Sequence, residues 1–374
     1  MSPTRSARWP VARVHCALFL LVAWTAACAS PRDAARTADS TSPVAAGVRV
    51  DLTGAGATFP YPLYSRWFND YAQRTNVRIN YQSIGSGGGI RQVLARTVDF
   101  GATDVPMTDT ELAQGHTNIV HVPTVLGAVA VTYNLPQLQR PLRLSGEVIA
   151  DIFLGRITKW NDPRIAAFNA GAPLPSSDIL VVHRADGSGT SYIMTDYLAA
   201  VSRPWAEGPG RGKDVRWPAG IGGKGNEGVA GQVKQMEGSI GYLEVVYARQ
   251  NRLPVAHIRN RAGRFVSPMP FEIASAATSV VTTSDDIKDL RVSLVNAPGE
   301  QAYPITSFTF MLIAPETIGL VKTRQLVEFL RWALVDGGDM ASALGYVALP
   351  TETATRVLDR LDALVRSTVP ASTP

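Results

Sequence analysis

Three segments of this chain share one layout: GAGATFP (residues 54–60), SIGSGGGI (83–90) and RADGSGTS (184–191). Each follows a strand-like run, passes through Gly, Ser and Thr, and enters a helix-like run. This layout constrains the fold more than any other feature. A strand handed to a helix through a glycine turn is the unit of α/β architecture, with helices on both faces of mainly parallel sheets. In such sheets, ligands gather at the carboxyl ends of strands, where these loops lie.

The rest of the chain keeps the same alternation. The spacing of Leu63, Trp67 and Tyr71, with Tyr64 and Phe68 beside them, predicts a helix over 59–75. Ile90, Val93, Leu94 and Val98 predict a second over 87–98, and SYIMTDYLAAV a third over 191–201. Strands are expected at 48–56, 77–85, 99–104, 121–134, 179–183, 239–248 and 308–314, and C-terminal helices at 323–334 and 354–367. The tryptophans Trp67, Trp160, Trp205, Trp217 and Trp332 read as packing residues.

Taken singly, each glycine-hydroxyl loop is an N-capped helix. Taken together they supply Thr58, Ser86, Ser188 and Thr190 as hydroxyls, N–H groups at positive helix ends, the cation Arg184, and the acids Asp104 and Asp186. That set suits a tetrahedral oxyanion held by many donors. The acids discriminate among anions. An ionised carboxylate only accepts hydrogen bonds. Phosphate near neutral pH still has a proton to give, whereas sulfate has none, so a carboxylate in the pocket favours phosphate and repels sulfate. Asp104 is one candidate for that acceptor. Asp186, two residues from Arg184, is open to a second reading as the residue that orients the guanidinium.

Of the 374 residues, 45% are hydrophobic and 18% charged, a globular composition with material for more than one core. The formal charge is +5, but Arg5, Arg8 and Arg13 fall in the first 27 residues, which contain no acid. Without that segment 33 basic residues face 31 acidic ones. A nearly balanced body argues against a nucleic-acid binder. The arginine-bearing start leads into CALFLLVAWTAAC, an apolar run too short for a comfortable membrane span. It has the layout of a secretory signal. The small residues before Cys28 make it similar to a bacterial lipoprotein signal, with Cys28 as the lipid attachment point, although Thr25 stands where that pattern usually has Leu. The only other cysteine, Cys16, lies inside the signal, so no internal disulfide or cysteine metal site is expected. Residues 28–48, rich in Ala, Ser, Thr and Pro, read as a disordered tether.

A family is visible in the longer motifs. GAGATFPYPLYSRW, YQSIGSGGGIRQ, VDFGATDVPMTD, FLGRITKWNDPRI, RADGSGTSYIMTDYL, IGGKGNEGVAGQV and AYPITSFTF together resemble the phosphate-binding protein (PstS) family of the bacterial high-affinity phosphate ABC importer. The resemblance spans roughly residues 50–365, in order. It implies a two-lobed periplasmic-binding-protein fold of type II, with mixed sheets flanked by helices and a hinge of two crossings that closes on inorganic phosphate. Lobe I is then expected at 49–126 plus 306–368, lobe II at 127–305 and a tail at 369–374, with crossings near Leu126-Gly127 and Ile305-Thr306. The implied ligand residues are Thr58, Phe59 (through its N–H), Ser86, Asp104, Arg184, Ser188, Gly189 and Thr190, with Asp186 paired to Arg184. Asp104 would accept from the phosphate proton. Two departures from the family pattern leave the N–H donors and the acid in place: Ser86-Gly87-Gly88-Gly89 replaces Ser-Ser-Gly-Gly, and GATD replaces GASD. The implied partners are the transmembrane permease subunits and, through the lipid anchor, a membrane. A monomer without cofactor, metal or catalytic activity is expected, outside the cytoplasm.

Rival readings are weaker. No Gly-x-Ser-x-Gly elbow occurs at Ser86 or Ser188. His183 ends an apolar strand and reads as structural, and His116 and His121 lack a recognisable metal pattern. A phosphoester hydrolase is therefore set aside. GIGGKG (220–225) satisfies the dinucleotide pattern only formally, and Gly225 after Lys224 breaks a P-loop. It reads as a glycine turn before a helix starting at Asn226. A surface phosphate sensor or scavenger without transport is the remaining alternative.

Overall fold

In the computed structural model, residues 49–115, 118–281 and 291–367 are described. The expected leader and tether with Cys28, as well as His116 and the tail, lie outside them. The strands are β1 (Val50–Gly56), β2 (Val77–Ser83), β3 (Phe100–Thr103), β4 (Val120–Tyr133), β5 (Arg143–Leu144), β6 (Leu180–Arg184), β7 (Ile221–Gly223), β8 (Ser239–Glu244), β9 (His257–Arg259), β10 (Phe265–Val266) and β11 (Thr306–Ile313). Eight form one sheet in the order β2-β1-β3-β11-β4-β8-β6-β7, and a small sheet runs β10-β9-β5.

The large sheet is mixed, where the strand-helix alternation predicted mainly parallel pairing. β1 is parallel to β2 and β3, and β6 to β7 and β8. The middle is antiparallel: β11 runs against β3 and β4, and β4 against β8. Helical connections account for the parallel wings. β4 ties them together: its residues 120–128 pair with β11, and its residues 129–133 with β8. Proline cannot donate to a ladder, so Pro123 inside this central strand needs an irregularity. The register with β11 shifts there, between Thr309 and Phe310. The Thr124 hydroxyl donates to the Thr309 carbonyl at 3.2 Å and shares a 2.8 Å bond with the Tyr64 hydroxyl.

The predicted helices form where apolar spacing called for them, except that the one expected over 87–98 ends at Leu94 and leaves Val98 beyond it. Leu63, Tyr64, Trp67, Phe68 and Tyr71 are the buried face of the helix Tyr61–Arg74, and Pro62 sits in the first turn, where no N–H is missed. Their rings pack with Tyr81, Phe100 and Phe329 under the first wing. Phe153, Trp217 and Tyr242 cluster under the second, where His183 stacks on Trp217 at 5.0 Å as a packing residue. Two expectations are corrected. The strand expected over 239–248 stops at Glu244, whose side chain accepts the Val246 N–H and caps the helix Val245–Asn251. GIGGKG is more than a turn: residues 221–223 form edge strand β7 before the helix Gly225–Gln235. Among the described residues, no helix is long and apolar enough to cross a membrane.

Candidate functional site

The carboxyl ends of β1, β2, β3, β6 and β7 all deliver loops to one place. Because β11 runs the other way, its first residues arrive there too. Ser86 opens the helix Ser86–Leu94 after Gly85, whose φ of 86° suits glycine. That helix lies directly on the sheet: a Cβ on Gly89 would stand 2.6 Å from the Gly56 Cα and 2.8 Å from the Ala102 carbonyl oxygen. Ser188 caps the helix Gly189–Val201 by accepting the Ser191 N–H at 3.0 Å. The two helix starts meet. The Gly87 N–H donates to the Gly187 carbonyl at 2.8 Å. A Cβ on Gly189 would fall 2.4 Å from both the Asp104 Oδ2 and the Ser86 Oγ. Only glycine fits there.

All eight candidate ligand residues and Asp186 are part of this assembly. Asp104, 1% exposed, follows β3. Its Oδ2 accepts from the Ser86 hydroxyl at 3.2 Å and its Oδ1 from the Thr309 hydroxyl at 2.5 Å. Among the described residues it makes no ion pair. Burial pushes its carboxyl up to about 7, against the pull of the Thr309 bond, the Arg184 charge and the Ser86 bond. Asp186 is held differently. The Arg184 guanidinium grips it through Nε (2.7 Å) and Nη2 (2.5 Å), and the Gly225 N–H adds a bond at 3.0 Å. Burial raises Asp186, but these partners outweigh it and hold the carboxyl below the ordinary range. The second reading of Asp186, as the orienter of Arg184, is the one the geometry favours.

Arg184 itself is buried at the end of β6. Its Nη1 donates to the Thr190 hydroxyl at 3.2 Å. With the two bonds to Asp186, these use three of the five guanidinium N–H groups. Thr58 and Phe59 lie between β1 and the helix Tyr61–Arg74, both buried. The Tyr247 and Tyr346 hydroxyls hold their carbonyls, each at 2.6 Å. An arrangement of helix starts, hydroxyls, one cation and one neutralisable acid can bind a protonated oxyanion. No group of residues suited to a metal occurs among the described residues. His121 is occupied otherwise, its Nε2 accepting the Met107 N–H at 3.0 Å.

Sequence reasoning missed three residues. Asn226, fully buried, donates from Nδ2 to the hydroxyls of Thr58 (2.8 Å) and Thr190 (3.4 Å), and its Oδ1 accepts the Glu244 N–H at 3.0 Å. Thr309 holds Asp104, and the Ser307 hydroxyl donates to the Asp104 carbonyl at 2.9 Å. The signal was present: Asn226 lies in IGGKGNEGVAGQV, and Ser307 and Thr309 lie in AYPITSFTF.

Comparison with known proteins agrees with the geometry. The model of a PBP superfamily domain matches residues 33–336. The phosphate-binding protein PstS of Pasteurella multocida is 46% identical over 307 residues, covering 82% of this chain and 88% of the relative. The protein of the same name from Haemophilus influenzae is 44% identical over 82% of this chain and 91% of its own. Among solved structures, a phosphate-binding protein from Stenotrophomonas maltophilia superposes with a TM-score of 0.63 at 20% identity, covering 83% of this chain and 94% of that one. This last likeness is one of fold.

Proposed function

Because the chain belongs to the PstS family of phosphate-binding proteins, within the PBP superfamily, we propose that it binds inorganic phosphate outside the cytoplasm and delivers it to the permease subunits of an ABC-type importer. The observation that carries this reading is Asp104. It is a buried carboxyl that makes no direct ion pair among the described residues, set between Ser86 and Gly189 where two helix starts meet. In its ionised form such a group repels a fully ionised anion and accepts from one that still carries a proton. Ser86, Ser188, Gly189, Thr190, Thr58, the Phe59 N–H and Arg184 supply the donors, as charge-assisted hydrogen bonds. Asp186 and Asn226 position them.

Two lobes follow from the same reading: residues 49–126 with 306–368, and residues 127–305. β4 and the entry to β11 are the crossings. β4 changes its partner from β11 to β8 between Ala128 and Val129, close to the expected crossing at Leu126-Gly127. Donors divided between lobes make binding and closure one event. The chain acts as a monomeric, membrane-anchored lipoprotein carrying phosphate as cargo, without cofactor or catalysis, and Cys28 is the anchor. Deleting it from its host tests delivery against the sensor or scavenger alternative. Uptake of labelled phosphate at low external concentration should collapse and return with a plasmid copy. Unchanged uptake would overturn the delivery reading.

A further inference from the structure

We propose that Glu111 and Lys213 form an electrostatic latch across the cleft mouth that sets how long phosphate stays bound. The inference rests on the two-lobe reading above. Glu111 belongs to the short helix Asp109–Gln114, just beyond Asp104, and Lys213 to the loop after the helix Arg203–Glu207. The Lys213 Nζ lies 2.6 Å from the Glu111 Oε1, joining positions 102 residues apart. The two side chains are only 18% and 23% exposed, so water and salt screen the pair less than an ordinary surface bridge.

Both halves of the pair are rigidly mounted. The other Glu111 oxygen accepts the Thr108 N–H at 2.9 Å, and the Thr108 hydroxyl accepts the Glu111 N–H at 3.2 Å. This capping box presents Oε1 in one orientation and reduces the entropy lost on pairing. On the other side, the loop is stapled to the helix that begins at the site. The Lys213 carbonyl accepts the Ser188 N–H at 2.8 Å. The Gly212 N–H donates to the Thr195 hydroxyl at 3.0 Å, and Arg211 pairs with Asp196 at 3.2 Å. Pulling on the Lys213 side chain therefore pulls on Ser188. A second pair, Arg291 to Asp109 at 3.2 Å, bridges the same short helix to the far side. Lys213 is thus a positioning residue: it couples the closure of the mouth to the helix start at Ser188.

The test is stopped-flow phosphate binding and release by the mature chain. The variants are Glu111→Gln, Lys213→Met, and the charge swap carrying Glu111→Lys with Lys213→Glu. Each single variant should release phosphate about tenfold faster, which corresponds to about 1.4 kcal/mol, with association changed much less. The swap should recover part of the loss, which a merely structural role would not do. The thermal midpoint measured without phosphate should stay near wild type. If wild type binds phosphate and the single variants release it at the wild-type rate, the latch is wrong. So is it if the anion-free midpoint falls as far as the affinity does. If wild type binds no phosphate, the underlying reading fails instead.

Discussion

At the scale of the residue, two acids of one pocket end up with opposite characters. Asp186 is ionised by its grip on Arg184, and Asp104 is pushed towards neutrality by burial. An unfolded aspartate titrates near 4, whereas folded Asp104 titrates at about 7. Between those values the anion-free folded chain keeps a proton that the unfolded chain has lost. The stability that Asp104 contributes is therefore highest at the acidic end and falls as pH rises from about 4 to about 7. The thermal midpoint of anion-free protein should decline across that window, and Asp104→Asn should flatten the decline. In the variant two further groups still act: Glu244, raised well above the carboxylate range by burial, with the same sign, and His257, lowered by burial and by the Arg143 charge, with the opposite sign. An unchanged slope in the variant would contradict the assignment. Gly189→Ala tests the geometry directly. Its Cβ would sit 2.4 Å from the Asp104 Oδ2 and the Ser86 Oγ, so phosphate affinity should fall about tenfold or more, the equivalent of at least about 1.4 kcal/mol.

At the scale of the element, Gly89 fixes how closely the helix Ser86–Leu94 sits on β1 and β3. Gly89→Ala should cost about 1–3 kcal/mol in a urea titration, because the obstructing atoms are backbone. Gly231→Ala, in a helix with open space around it, should be neutral or stabilising by up to about 1 kcal/mol. Equal effects would show that close packing is not what Gly89 provides. The long helices were legible because Leu63, Trp67 and Tyr71 repeat at helical spacing. The end of β8 was not. Val245 and Val246 continue the apolar run, and the only mark of the helix start is Glu244, a less usual cap than Ser, Thr, Asp or Asn. Strand direction was illegible for another reason: alternation of strands and helices does not reveal that β4 and β11 run antiparallel through the middle. The loops of the site announced themselves by their glycines. Asn226 and Thr309 stood within the longer motifs, but their roles were not legible, because each acts on a residue far away in sequence.

At the scale of the whole molecule, the sheet gathers donors from residues 58 to 309 around one carboxylate. Binding that depends on closure must stabilise the closed, folded form by mass action. Phosphate at a hundred times its Kd should add about 2.7 kcal/mol to the unfolding free energy, read as a rise in the thermal midpoint that sulfate does not produce. A sulfate rise equal to that of phosphate would contradict the selectivity. The most direct measurement is calorimetric titration of the mature chain, freed of bound anion, with phosphate and with sulfate, on wild type and Asp104→Asn in parallel. The account predicts one phosphate per chain and no sulfate heat for wild type, with discrimination lost in the variant. Sulfate binding to wild type, or a variant that still rejects sulfate, would contradict the claim that a buried, proton-sharing Asp104 selects the anion.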